Sequence, residues 1–141
     1  MKHLRIFLIM AVFAGFALVS VWAAGVKVIA NPSVGATSVS AGDLRSVFLQ
    51  DKDSLSDGSH VTPVLEKGGP AHEAFLKEYM DKSDSALQAY YRTQVFTGKG
   101  SMPKSVGSDA EMVAFVAKTK GAIGYVSADA GAEGTKTLEV K

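Results

Sequence analysis

The sequence predicts an α/β domain whose largely parallel sheet is covered by helices. Short β-branched runs alternate with stretches of helical period, and turn residues separate them at Asn31-Pro32, Asp57-Gly58, Gly68-Gly69-Pro70, Gly98 and Gly121. The resulting order is strand, helix, strand, three helices, strand, strand, without an internal repeat. Strands separated by helices require crossover connections, which favour parallel neighbours.

The domain is expected to begin only after a leader. Met1 to Arg5 carries Lys2 and Arg5, Ile6 to Val21 is almost wholly apolar, and Ala23, Ala24 and Gly25 close the stretch. These are the three regions of a secretory signal peptide, with cleavage after Ala23. The apolar run is shorter than the roughly 18 residues that span a bilayer, so no stable membrane anchor is expected. The expected division is therefore 1–23 as signal and 24–141 as one domain, exported to the periplasm or beyond. Trp22 is the single tryptophan, so the mature protein should fluoresce through tyrosine alone.

In the domain, "VKVIA" (Val26 to Ala30) reads as the first strand, stopped by Asn31-Pro32. Ser40 is placed to cap a helix in "AGDLRSVFLQ", where Leu44, Val47 and Phe48 recur at helical spacing. A polar loop leads to "VTPVL", the second strand, and then to Gly68-Gly69-Pro70. Pro70 suits a first helical position because its missing N–H is not needed there, and Phe75, Leu76, Tyr79 and Met80 form one apolar face. The next helix runs from Ser85 to about Phe96, with Leu87, Tyr90, Tyr91 and Val95 inward and Gly98 ending it. The last runs from Asp109 to Lys118 behind Ser108 as cap, burying Met112, Val113, Phe115 and Val116. "AIGYVS" is a buried strand and "KTLEV" an edge strand.

Charge excludes some partners. Of the 15 basic residues two lie in the leader, 14 acidic ones face the remainder, and no basic run or aromatic-plus-basic stripe occurs. Nothing here suits nucleic acid or an anionic membrane. Cysteine is absent, which removes a disulfide framework, a thiol nucleophile and a lipoprotein anchor. His60 and His72, the two histidines of the domain, read as solvated surface residues, and no serine stands in a nucleophile-elbow pattern, so a hydrolytic triad is not expected. "DKDSLSDG" lacks calcium-loop spacing, because Leu55 and Ser56 fall where a ligand and a glycine are needed. Zinc lacks a histidine pair at ligand spacing. "TGKGSMPK" follows a helix and lacks the hydroxyl of a phosphate loop. No cofactor or metal and no enzymatic activity are expected.

The stretch "VLEKGGPAHEAF" is different, because a helix start offers unpaired N–H groups and glycines before it admit an oxyanion to the backbone. Ligands of such sheets gather where strand C-termini meet helix N-termini. That edge is expected to join Asn31 to Ser33 with Lys67 to Ala71, and the loop near Lys99 is a further contributor.

Together, "LRSVFLQ" followed by "SDG", then "VTPV", the "EAF" helix, "VFTGKG" and "GAIGYVS" resemble the phosphate ABC transporter substrate-binding proteins, type II periplasmic binding proteins, and in particular short single-lobe members. The resemblance covers Val26 to Ser127. It implies one lobe of a clamshell, a mixed, mostly parallel sheet flanked by helices, that in longer relatives closes over a tetrahedral oxyanion. Aligned on Phe75, Gly69, Pro70 and Ala71 stand where those relatives carry Ser-Gly-Thr, and Leu65-Glu66 stands where they carry arginine. Both hydroxyls and one N–H are thereby lost. The implied function is periplasmic solute binding, with phosphate or another small oxyanion held weakly by Gly68, Gly69 and Ala71, helped by Asn31, Ser33 and Lys67. The alternative is an adaptor whose former cleft face docks a protein partner or a second copy.

Overall fold

The computed structural model describes residues 25–141; the expected leader and its cleavage point lie outside them. Six strands form one sheet in the order β2-β6-β1-β5-β3-β4. They are β1 (Val26–Ala30), β2 (Ser38–Val39), β3 (Thr62–Glu66), β4 (Lys104–Val106), β5 (Ala122–Ser127) and β6 (Lys136–Val140). The helices are α1 (Ala41–Phe48), α2 (Pro70–Phe75), α3 (Asp84–Phe96) and α4 (Asp109–Lys118), and α2 continues into a wider π-type turn, Leu76–Met80.

Side-chain alternation along the strands decides which helix covers which face. Val28, Ala30, Ile123, Tyr125 and Leu65 face a core built with Leu44, Val47 and Phe48 of α1, Phe75 of α2 and Leu87 and Tyr91 of α3. Ile29, Val64, Val106, Ala122 and Val126 face Met112 and Val116 of α4. The sheet is thus covered on both sides, which is why β5 reads as a continuous apolar run.

Three of the five strand pairs are parallel: β3 with β5, β3 with β4, and β2 with β6. The exception is β1, which lies between β5 and β6 and runs antiparallel to both. Pro63 is tolerated at the second position of β3 because the β4 ladder starts only at Val64, opposite Lys104.

The helix boundaries follow the cap chemistry. Ser40 Oγ accepts from Asp43 N at 3.0 Å, and Ser108 Oγ accepts from Glu111 N at 3.2 Å. Gly98, with φ of 71°, turns the chain out of α3. One expectation fails here, since Val95 is exposed (45%) rather than inward, as is the neighbouring Phe96 (95%). Leu87 and Tyr91 hold the buried face of α3.

Candidate functional site

The antiparallel setting of β1 divides the residues expected at one edge. Ala30 pairs with Ile123 at the start of β5, and Pro63 at the start of β3 pairs with the same residue. The end of β1 therefore lies at the beginning of β3, and Asn31 and Ser33 sit at the edge opposite Lys67 to Ala71. Their side chains are committed to the fold there. Asn31 Nδ2 donates to the carbonyls of Val116 and Ala117 at 2.8 and 3.1 Å, its Oδ1 accepts from Ser33 N at 2.9 Å, and Ser33 Oγ accepts from Gly121 N at 3.0 Å. The loop of Lys99 also belongs to that far edge, because it precedes β4, and Gln50 Nε2 ties it down by donating to Ser101 O at 2.7 Å.

What remains together is the segment Lys67 to Ala71 at the C-terminal end of β3. Lys67 N donates to Val106 O at 2.9 Å, so the loop leaves the sheet beside the end of β4. Gly69 caps α2 with φ of 97° and ψ of 176° and without a side-chain hydrogen bond. That backbone region is open essentially to glycine alone. Among the described residues, chain neighbours aside, a Cβ added at Gly68 or Gly69 would meet no heavy atom within 4 Å, so the space beside the turn is open. Lys67, Gly68 and Gly69 are exposed, whereas Ala71 is buried (3%) and fixes the first turn against the sheet.

Beneath this loop the sequence reading missed two linked groups. The first is a relay under α2. His72, expected on the surface, is 1% exposed. Its Nδ1 lies 2.5 Å from the Tyr125 hydroxyl and its Nε2 lies 2.7 Å from Asp84 Oδ1, while Tyr125 Oη accepts from Glu66 N at 3.0 Å. One proton arrangement satisfies every member: Nε2–H donates to Asp84, Tyr125 O–H donates to Nδ1, and Glu66 N–H donates to Tyr125. Burial pushes the Tyr125 phenol well above its usual range and keeps it a donor. Tyr125 also stacks on Phe75 with centroids 3.9 Å apart and 8° between planes.

The second group is a carboxyl pair. Glu66, the last residue of β3, is 4% exposed, and among the described residues its buried Oε1 has no hydrogen-bond partner. Its carboxyl meets that of Asp109, the first residue of α4. Two carboxyls bond to each other only by sharing a proton. Burial, then the Asp109 contact and its charge, push Glu66 up to about 8, so at neutral pH the proton resides there. Burial alone would raise Asp109, but the bonds from Glu66 and Ser127 together with the charge of Lys27 hold it below the usual carboxylate range. Ser127 N donates to Asp109 Oδ2 at 3.3 Å.

The chemistry of this edge is therefore mixed. The backbone at Gly68 to Ala71 and the Lys67 ammonium favour an anion, while Glu73 in the first turn of α2 and ionised Asp109 oppose one. The neighbouring start of α4 is occupied by its own residues, with Glu111 Oε2 accepting from Gly107 N at 2.7 Å.

No protein-family model and no curated protein sequence matches the chain. Solved structures do. An ABC-type phosphate transport receptor from Vibrio cholerae superposes with a TM-score of 0.62 at 12% identity, over 82% of this chain and 46% of that one. PstS from Borrelia burgdorferi gives 0.63 at 13% identity over 83% and 47%, and a Clostridium perfringens phosphate ABC transporter substrate-binding protein with bound phosphate gives 0.61 at 14% over 82% and 44%. The fold is that of these phosphate receptors. The chain spans a little under half the length of each of these proteins, and the Vibrio and Clostridium proteins are named for transport or substrate binding rather than catalysis.

Proposed function

We propose that this protein is an exported, periplasmic solute-binding module, with residues 1–23 as a cleaved signal and residues 24–141 as one lobe of a periplasmic-binding-protein fold. Its ligand is phosphate or another small oxyanion, held weakly by the backbone of Gly68, Gly69 and Ala71 and by the Lys67 ammonium. The observation that carries this reading is the open, glycine-built strand-to-helix turn at the C-terminal end of β3, in a fold shared with phosphate receptors. Asn31 and Ser33 take no part, since they lie at the opposite edge and bond to the fold.

Weakness follows from two features. Tight small-molecule sites bury most of the ligand, about 70 to 90 per cent for drug-sized ones, and this turn is open to solvent. Pro70 contributes no N–H, and Glu73 and Asp109 repel a dianion. Among the described residues no helix is long and apolar enough to cross a membrane. Isothermal titration of the 24–141 protein at pH 6 with phosphate, sulfate and small carboxylates should give dissociation constants in the millimolar range for at least one. Flat traces at several millimolar ligand would retire the binding role.

A further inference from the structure

The carboxyl pair joins the end of β3, from which the Lys67–Gly69 loop leaves, to the start of α4. Glu66 ends β3 immediately before the loop, and Asp109 begins α4 directly after the turn at Gly107 and Ser108. With one shared proton the contact is a hydrogen bond between carboxyl and carboxylate. Without it, two negative charges face each other where Glu66 is 4% exposed and one of its oxygens already has no partner. Such an arrangement cannot persist, because a buried charge without a partner is expelled or neutralised.

The described residues around the pair offer no replacement for the proton. From β1, Lys27 acts on Asp109, but its ammonium is bonded to the carbonyl of Ala130. From β5, Tyr125 acts only as acceptor of the Glu66 N–H, its own proton being directed to His72 of α2 and onward to Asp84 of α3. Lys67 follows Glu66 directly but is exposed on the loop. The escape route of an ionised Glu66 is therefore the loop itself, where two successive glycines give the chain freedom to turn the residue outward.

We propose that the Glu66–Asp109 pair is a proton-operated latch, fixing the Lys67–Gly69 loop while the carboxyls share one proton and freeing it when both are charged. The latch acts on the unliganded protein and goes beyond the oxyanion reading, so each can fail without the other.

Backbone amide resonances of the anion-free 24–141 protein, followed from pH 5.5 to 9.5, test it. Lys67, Gly68, Gly69 and Asp109 should shift together with one midpoint above pH 7, and amide exchange across Lys67–Gly69, corrected for intrinsic pH dependence, should quicken at least tenfold over the same range. Glu66→Gln supplies a permanent donor to Asp109 and should abolish both changes. Asp109→Asn removes the facing charge and should move the midpoint down by at least one pH unit. Loop resonances that stay still in the wild type, or that titrate equally in Glu66→Gln, overturn the latch. Should Glu66→Gln fail to fold, the Asp109→Asn midpoint decides: an unchanged value rejects the pair. Sulfate added at pH 6 then tests the oxyanion reading separately.

Discussion

Glu66 shows how one residue couples stability to pH. Unfolded, a glutamate releases its proton near 4.5, whereas folded Glu66 holds it to about 8. Between these values the folded state binds more protons than the unfolded state, so stability must fall as pH rises through that window. The favourable contribution is complete below the unfolded value, and it is lost as pH passes the folded one. Wild type should therefore melt several degrees lower at pH 9 than at pH 5.5, beyond the drift from other groups, since about 1 kcal/mol moves Tm by roughly 4 °C at this size. Glu66→Gln keeps shape and donor while removing ionisation, so its Tm should be nearly level across the window and exceed that of wild type at pH 9. A mutant slope parallel to that of wild type would remove Glu66 as its source. The sequence hinted at this residue only by placing a carboxylate at the end of the apolar run "VTPVLE". What made it unusual, the facing Asp109, comes from 43 residues further along the chain; no local pattern reports such a meeting.

At the level of elements, α2 shows how much was legible. Its position, Pro70 at the first turn and the face of Phe75, Leu76, Tyr79 and Met80 all follow from spacing and cap chemistry. His72 was misplaced, although it stands three residues before Phe75 and four before Leu76 and so continues the same face. Polarity argued against burial, and only Tyr125 and Asp84, on two other elements, supply the partners that make burial possible. The strands β2 and β4 went unseen because two or three residues are too few to show a period. The tie between α2, α3 and β5 gives a measurable contrast. His72→Phe fills the space but leaves the Tyr125 hydroxyl without an acceptor and Asp84 without its donor, a loss of about 1 to 3 kcal/mol. His60 is exposed and lies 3.9 Å from an exposed Asp53, so His60→Ala should cost less than about 0.5 kcal/mol. Urea unfolding of both variants checks this, and equal midpoints would mean that the relay contributes nothing.

For the whole molecule, the fold class and the mostly parallel sheet were readable but the direction of β1 was not. Helices between strands argue for crossovers and correctly give a sheet covered on both faces. They cannot reveal that β1 inserts antiparallel between β5 and β6, a choice made by pairings about 100 residues apart in sequence. That insertion sent Asn31 and Ser33 to the wrong edge of the expected site. The layers themselves close at β5, whose Gly124 pairs with Ile29 of β1 and lies directly under α4. A Cβ added there would overlap the sulfur of fully buried Met112, so a glycine in a central strand, ordinarily a weakness, is here what lets the helix reach the sheet. Gly124→Ala should therefore destabilise by about 1 to 3 kcal/mol despite its better strand propensity, through overpacking. Met112→Ala should cost about 2 to 5 kcal/mol by leaving a cavity. In the double variant the new methyl occupies part of that cavity, so the two losses should fall short of their sum by about 1 kcal/mol or more. Strict additivity in urea midpoints, at unchanged m, would mean that α4 can lift from the sheet without cost and that the close approach at Gly124 does not set the spacing of the layers.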